Sequence, residues 1–170
     1  MRCPFASWTA SPNFTKGRSG AAIDRIVVHQ TDGQPRLDRA VEHLANPDSE
    51  HRVSAHFLIG REGEVVQLVD VGDTAWHCSG WNKSSIGIEH CARAPKELGH
   101  DDPGLPLTEP QLDASARLVA WLLRELGLQL AAVVPHCSSP VTTHKDCGRD
   151  VADGGIWPWA EYIKRISSLE

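Results

Sequence analysis

Long apolar runs are missing from this 170-residue chain. No segment approaches the ~20 consecutive apolar residues that a membrane-spanning helix needs, so no membrane span is expected. The opening stretch, MRCPFASWTASPNFTKGRSG, has no extended apolar core of the kind a secretory signal carries. The expectation is a protein made in the cytoplasm that either works there or leaves by a route that reads no N-terminal signal. Runs of Lys and Arg are missing too, and the formal net charge is −5, which excludes a nucleic-acid partner. Internal repeats and low-complexity tracts are absent. The cysteines do not form a complete pairing set: there are five (Cys3, Cys78, Cys91, Cys137 and Cys147), with no repeated C-x-x-C. They cannot all pair within one chain, so this is not a fully disulfide-stapled scaffold, although one or two bridges stay open outside the cytosol.

What is present describes one globular domain. Apolar residues make up 41% and charged residues 23%, enough for a hydrophobic core at this length. The first 22 residues, rich in Ser, Gly, Pro and Asn, read as an irregular arm, and residues 23–170 read as the domain. RIVVHQT (25–31) is a β-branched run and predicts a buried strand. PRLDRAVEHLANP (35–47) places Leu37, Val41 and Leu44 at helical spacing before Pro47. VSAHFLIGREGEVVQLV (53–69) predicts a hairpin around GREG, and SSIGIEH (84–90) alternates as a strand. Residues 94–107 read as a surface loop. TEPQLDASARLVAWLLRELG (108–127) is the clearest helix. It has a Thr108/Gln111 capping box, an apolar face from Leu112 to Leu126, and Gly127 as its stop. A last strand (130–135) and a last helix (157–169) complete an α/β order: a single domain with a mixed central sheet flanked by helices.

The polar residues fall at the ends of these elements. His29 closes the first strand and His136 follows the last. If those strands are neighbours, both imidazoles reach one sheet edge, and the loop carrying Asp146 can fold back onto them. Two imidazoles and a carboxylate with an open fourth position make a catalytic type of zinc site, whereas Mg²⁺ and Ca²⁺ prefer oxygen shells. Cys147 or Cys137 could equally supply the third donor, because thiolate binds zinc well. Glu89, at the end of SIGIE, would be an ordinary strand-end carboxylate without such a site beside it. Six tryptophans are many for this size, and they suit either a core or a sugar-binding groove.

Three stretches, IVVHQTDG, NPDSEHRVSAHFLIGREGEVVQLVDVGDTAWHCSGWNKSSIGIEH and PHCSSPVTTHKDCG, carry a resemblance. With IWPW after the last of them, they run in order over most of the chain, from about Ile26 to Trp159. The sequence resembles the zinc-dependent N-acetylmuramoyl-L-alanine amidases of type 2, which share their fold with the peptidoglycan recognition proteins and phage amidases. That resemblance implies zinc held by His29, His136 and Asp146, with the family's ten-residue step from His136 to Asp146 kept. Pro135 and Cys147 depart from the family's usual Gly and Pro. The resemblance also implies Glu89 as the catalytic carboxylate and His144, eight residues after His136, as the partner of the oxyanion, ahead of Lys145. His56, His77, Asn82 and Trp81 become candidates for substrate contact. The implied substrate is peptidoglycan or a soluble muropeptide, cut by a monomer between N-acetylmuramic acid and L-alanine. The place of action would be the cytoplasm, or the periplasm or wall after release or delivery. The alternative is a module of the same fold that binds peptidoglycan without cutting it.

Overall fold

The computed structural model describes residues 1–33, 35–48, 52–94, 104–144 and 147–170. Its β-branched runs pair with one another. The strands are β1 (Ser7–Trp8), β2 (Phe14–Thr15), β3 (Arg25–Val28), β4 (Phe57–Ile59), β5 (Val65–Gln67), β6 (Thr74–Ala75), β7 (Ser85–His90) and β8 (Val133–Pro135). The helices are α1 (Leu37–Leu44), α2 (Glu109–Leu126) and α3 (Trp159–Ser167). Six strands form a mixed sheet in the order β1-β5-β4-β7-β3-β8, and β2 pairs with β6 apart from it. β4, β7, β3 and β8 run parallel to one another, and the β4–β5 hairpin is antiparallel. The first and last strands of the domain are therefore adjacent, as the convergence of His29 and His136 requires.

The sheet has two unequal faces. Ile26, Val28, Phe57, Ile59, Ile86 and Ile88 pack on one side against Leu112, Val119, Leu122 and Leu123 of α2 and Tyr162 and Ile166 of α3. Fully burying each such side chain is worth about 1.5–3 kcal/mol, so this face dominates stability. Leu58, Val66 and Leu68 pack on the other side under Ala40 and Leu44 of α1. α1 is short, and the sheet beyond it is left open. Helix α2 starts and stops as its sequence predicts: Thr108 accepts from the Gln111 N–H, and Gly127 takes the left-handed conformation at φ 65°. The first strand ends at Val28, earlier than its β-branched run, and 130–132 forms a 3₁₀ turn before β8. Most of the 94–107 loop lies outside the described residues. Among the described residues, no helix is long and apolar enough to cross a membrane.

The stretch read as an irregular arm is tied down. β1 extends the sheet beside β5, Cys3 N–H donates to Gln67 Oε1 (2.8 Å), and Ser11 Oγ donates to the Leu44 carbonyl (2.6 Å). Arg18 is buried and donates to the carbonyls of Val71 (2.8 Å), Lys83 (2.9 Å) and Ser85 (3.0 Å). Its guanidinium also lies 3.0 Å from His56. This corrects the expectation that His56 touches substrate. The ring is fully buried, Nδ1 accepts from Gly87 N–H (3.0 Å), and Nε2 donates to the Asp73 carbonyl (3.1 Å). Burial, reinforced by the Arg18 charge, pushes the His56 pKa down to about 3.

A second polar thread crosses the core. The His29 carbonyl can only accept, so His90 Nδ1 donates to it (2.8 Å) and His90 Nε2 is bare. Ser115 Oγ must then donate to Nε2 (2.8 Å), and Tyr162 O–H donates to Ser115 (2.7 Å). Ser115→Ala strands a buried acceptor and a buried donor together and is expected to cost about 2–4 kcal/mol in denaturant unfolding. Tyr162→Phe removes a donor alone and is expected to cost about 1 kcal/mol; the reverse ranking would contradict this direction of donation. His56 also sets a pH dependence. The unfolded chain binds a proton near pH 6.5 that the native ring refuses until about pH 3, so stability is whole above 6.5 and falls as pH drops through that window. His56 adds about 1.4 kcal/mol per pH unit to a slope that the other buried histidines share, read as the difference between the wild-type and His56→Asn unfolding curves.

Candidate metal centre and catalytic cleft

The site follows from one register. Val28 of β3 sits opposite Ile88 of β7 on one side and Pro135 of β8 on the other. The next residues are His29, just past the end of β3, Glu89 within β7, and His136, which opens a 3₁₀ turn directly after β8. Side chains alternate along a strand, so these three leave the face opposite the Val28 and Ile88 core, the one α1 covers incompletely. The His29 N–H still bonds the Ile88 carbonyl at 2.8 Å, which holds the level fixed.

Cys147 joins them from the last loop. Its carbonyl accepts from Cys137 N–H (2.8 Å), Gly148 N–H reaches Gln30 Oε1 (3.3 Å), and Trp159 Nε1 donates to the Gly148 carbonyl (2.8 Å). Gly148 is at φ 82°, and a Cβ there would lie 2.8 Å from Pro135 Cβ, so only glycine lets the loop press against β8. The result is a cluster of His29, His136 and Cys147 whose donor atoms lie within 4.8 Å of one another. The two rings are 4.5 Å apart between centroids. His29 Nδ1 is 3.8 Å from both Cys147 Sγ and Glu89 Oε1. Nitrogen and sulfur ligands of a tetrahedral zinc would be about 3.6 Å apart, so the residues fit such an ion. Asp146, the carboxylate expected as third ligand, and Lys145 lie outside the described residues.

The electrostatics favour a cation. Burial, and next the neighbouring imidazoles, push His29 well below its ordinary pKa, and His77 is lowered in the same way. Burial, then Glu89, pushes the Cys147 thiol well up. Burial, then Asp32, raises Glu89 to about 8. Every group is thus driven toward its uncharged form. A divalent ion would take the neutral imidazoles as they stand and would give a thiolate and a carboxylate the counter-charge they lack. Glu89 Oε2 has no hydrogen-bond partner among the described residues and is the one buried carboxylate oxygen so exposed to new chemistry.

A cleft of about 340 Å³ opens over the cluster, lined by His29, Glu89, His136, His144, Cys147, His77, Asp32 and Trp76 among others. A second hollow of about 300 Å³ shares Val53, Trp76, His77, His136 and His144 with it, so His136 of the cluster stands where the two meet. His144 is exposed on the shared wall, its ring 5.8 Å from that of His136. Asn82 lines the second hollow, but its Oδ1 is used in accepting from the N–H groups of His77 (3.0 Å) and Cys78 (2.7 Å). Trp81 lines neither hollow; it lies under the Arg25 guanidinium, 4.5 Å from ring centroid to Cζ, which corrects its assignment to substrate. Trp76, by contrast, lines both hollows. Asp32 and His43, which the sequence left without roles, also line the cleft. Asp32 directly follows the HQT that closes the first strand run, a position from which a cleft residue could have been read.

Known proteins resemble this chain over most of its length. The family described as N-acetylmuramoyl-L-alanine amidase matches residues 19–150. N-acetylmuramoyl-L-alanine amidase A of Achromobacter lyticus is 27% identical across 75% of this chain and 66% of its own length, so the chain spans just under two thirds of that relative. The 1,6-anhydro-N-acetylmuramyl-L-alanine amidase AmpD of Haemophilus influenzae is 25% identical over 92% of this chain and 89% of its own. The crystal structure of a selenomethionine derivative of AmpD superposes with a TM-score of 0.73 at 22% identity, covering 99% of this chain and 96% of that one, which establishes the fold. From the cluster geometry, one equivalent of zinc is expected in protein purified with the metal. His29→Ala or His136→Ala should lose it, as read by elemental analysis after dialysis; full retention in both would sink the assignment.

Proposed function

Because the chain belongs to the type 2 N-acetylmuramoyl-L-alanine amidase family, we propose that it hydrolyses the amide between N-acetylmuramic acid and L-alanine in peptidoglycan or muropeptides. The observation that carries this reading is the unpartnered Glu89 carboxylate oxygen, 3.8 Å on its other oxygen from His29, at the floor of an open cleft. His29 and His136 would hold a zinc ion, with the third donor from the Asp146–Cys147 step. Cys147 is supported by its distance to His29, and Asp146 by its ten-residue spacing from His136. When bound, the ion supplies positive charge that polarises a carbonyl and acidifies water.

The protein groups then divide the proton work. Glu89 takes the proton of the water that attacks the lactyl carbonyl carbon. As the C–N bond breaks, it returns that proton to the departing alanine amine. Its unpartnered oxygen, buried beside the metal position, leaves it free both to accept and to give a proton. The carbonyl oxygen gains negative charge during attack, and His144, on the cleft wall beside His136, is placed to donate to it. Trp76 offers an aromatic face at the junction of the two hollows, where the bond to be cut would lie between its sugar and peptide sides. A module that only bound peptidoglycan would have no use for a buried carboxylate without a partner, which costs stability where it stands.

Purified sacculi or a soluble muropeptide should release new free amines with this protein, and a chelator should stop the release until zinc is returned. Glu89→Gln is expected to keep its zinc and lose at least about 100-fold in kcat. Zinc content and rate measured on the same sample decide: an unchanged rate removes Glu89 from the chemistry. In the same assay, loss of zinc in Asp146→Asn or in Cys147→Ser identifies the third ligand.

A further inference from the structure

His77 is fixed on every side. Its backbone N–H donates to Asn82 Oδ1, its Nδ1 lies 2.9 Å from His29 Nε2, and its Nε2 lies 3.0 Å from Ser85 Oγ. Gly87 of β7 makes the seat for the ring: a Cβ there would fall 2.4 Å from His77 Cγ. The direction of the hydrogen bonds can be worked out from the far end. Ser85 has one hydroxyl hydrogen, and it is committed to the Trp81 carbonyl at 2.7 Å, which can only accept. Toward His77 the serine oxygen is therefore an acceptor, so His77 Nε2 carries a hydrogen. A neutral ring protonated there has a bare Nδ1, and the short contact must run from His29 Nε2–H to His77 Nδ1. His29 is left with a bare Nδ1. That is the atom 3.8 Å from both Cys147 Sγ and Glu89 Oε1, facing the metal position.

We propose that His77 is a positioning residue that, with Ser85 behind it, fixes the tautomer and orientation of His29 so that Nδ1 presents its lone pair to the metal. The proposal rests on the reading of His29 as a ligand. Metal-bound imidazoles usually give their second N–H to a carboxylate, a carbonyl or water, and losing that partner weakens metal binding about 10–100-fold. Here the acceptor is a second imidazole, itself set by a serine. Both ring nitrogens of His77 are then occupied within the protein, so the ring borders the cleft without a nitrogen to spare for substrate.

The test is zinc affinity in the full chain, measured by competition with a chromophoric chelator, for wild type, His77→Leu, His77→Asn and Ser85→Ala. His77→Leu should bind zinc about 10–100-fold more weakly. His77→Asn, whose amide oxygen can stand where Nδ1 stood, should recover most of the loss, and Ser85→Ala should fall between. Long-range ¹⁵N–¹H spectra of the imidazoles should show both His29 and His77 carrying hydrogen on Nε2. Unchanged affinity in a folded His77→Leu, or hydrogen on His29 Nδ1, overturns the proposal. Should His77→Leu not fold, the wild-type spectra and Ser85→Ala decide in its place. A wild-type chain that takes up no zinc would instead remove the metal centre, and the proposal with its premise.

Discussion

The parallel register of β7, β3 and β8 is the constraint on which the molecule turns. Aligning Val28 with Ile88 and with Pro135 puts His29, Glu89 and His136 at one level and on one face. A slip of one residue in either pairing would turn a functional side chain into the core. The register is held by the core itself: Ile26, Val28, Ile86 and Ile88 must all face α2 and α3, so the alternate residues must all face the opposite side, where His29 and Glu89 reach the cleft. Stability and chemistry thus occupy opposite sides of the same three strands.

The cleft side concentrates groups that water would otherwise solvate. His29, His136, Cys147 and Glu89 are brought together by backbone, and burial drives His29, Cys147 and Glu89 toward their neutral forms. Such an arrangement is costly without a counter-charge and coherent with one. Surrounding it are histidines of another kind. His56 and His90 have both nitrogens satisfied by the protein and stay neutral for structural reasons. His77 stands between the two classes: it is paired like a structural histidine but directly against His29. The buried histidines described therefore divide by what their second nitrogen meets, which no count of the residue reveals.

The elements themselves were legible. Periodicity placed α2 with its capping box and glycine stop, the hairpin around GREG and the SIGIEH strand, because each is set by residues close in the chain. The arm was less so. Its strands are two residues long and exist because β5 and β6 offer open edges, and Arg18 is buried only because carbonyls of residues 71, 83 and 85 converge on it. In the site, His29 and His136 were readable from their places at strand ends. Trp76 and Trp81 were indistinguishable as sequence, and only the fold sends one into the cleft and the other under Arg25.

By itself the sequence determined the family, the α/β order of elements and the residue types that could hold a metal, since these depend on local pattern and on motif spacing. The tertiary structure decided which strands are neighbours, which side of the sheet stays uncovered, and which nitrogen of each imidazole is left bare. Those outcomes depend on contacts between residues dozens of positions apart, such as His29 with His77 and Cys147, whose distances no local spacing encodes.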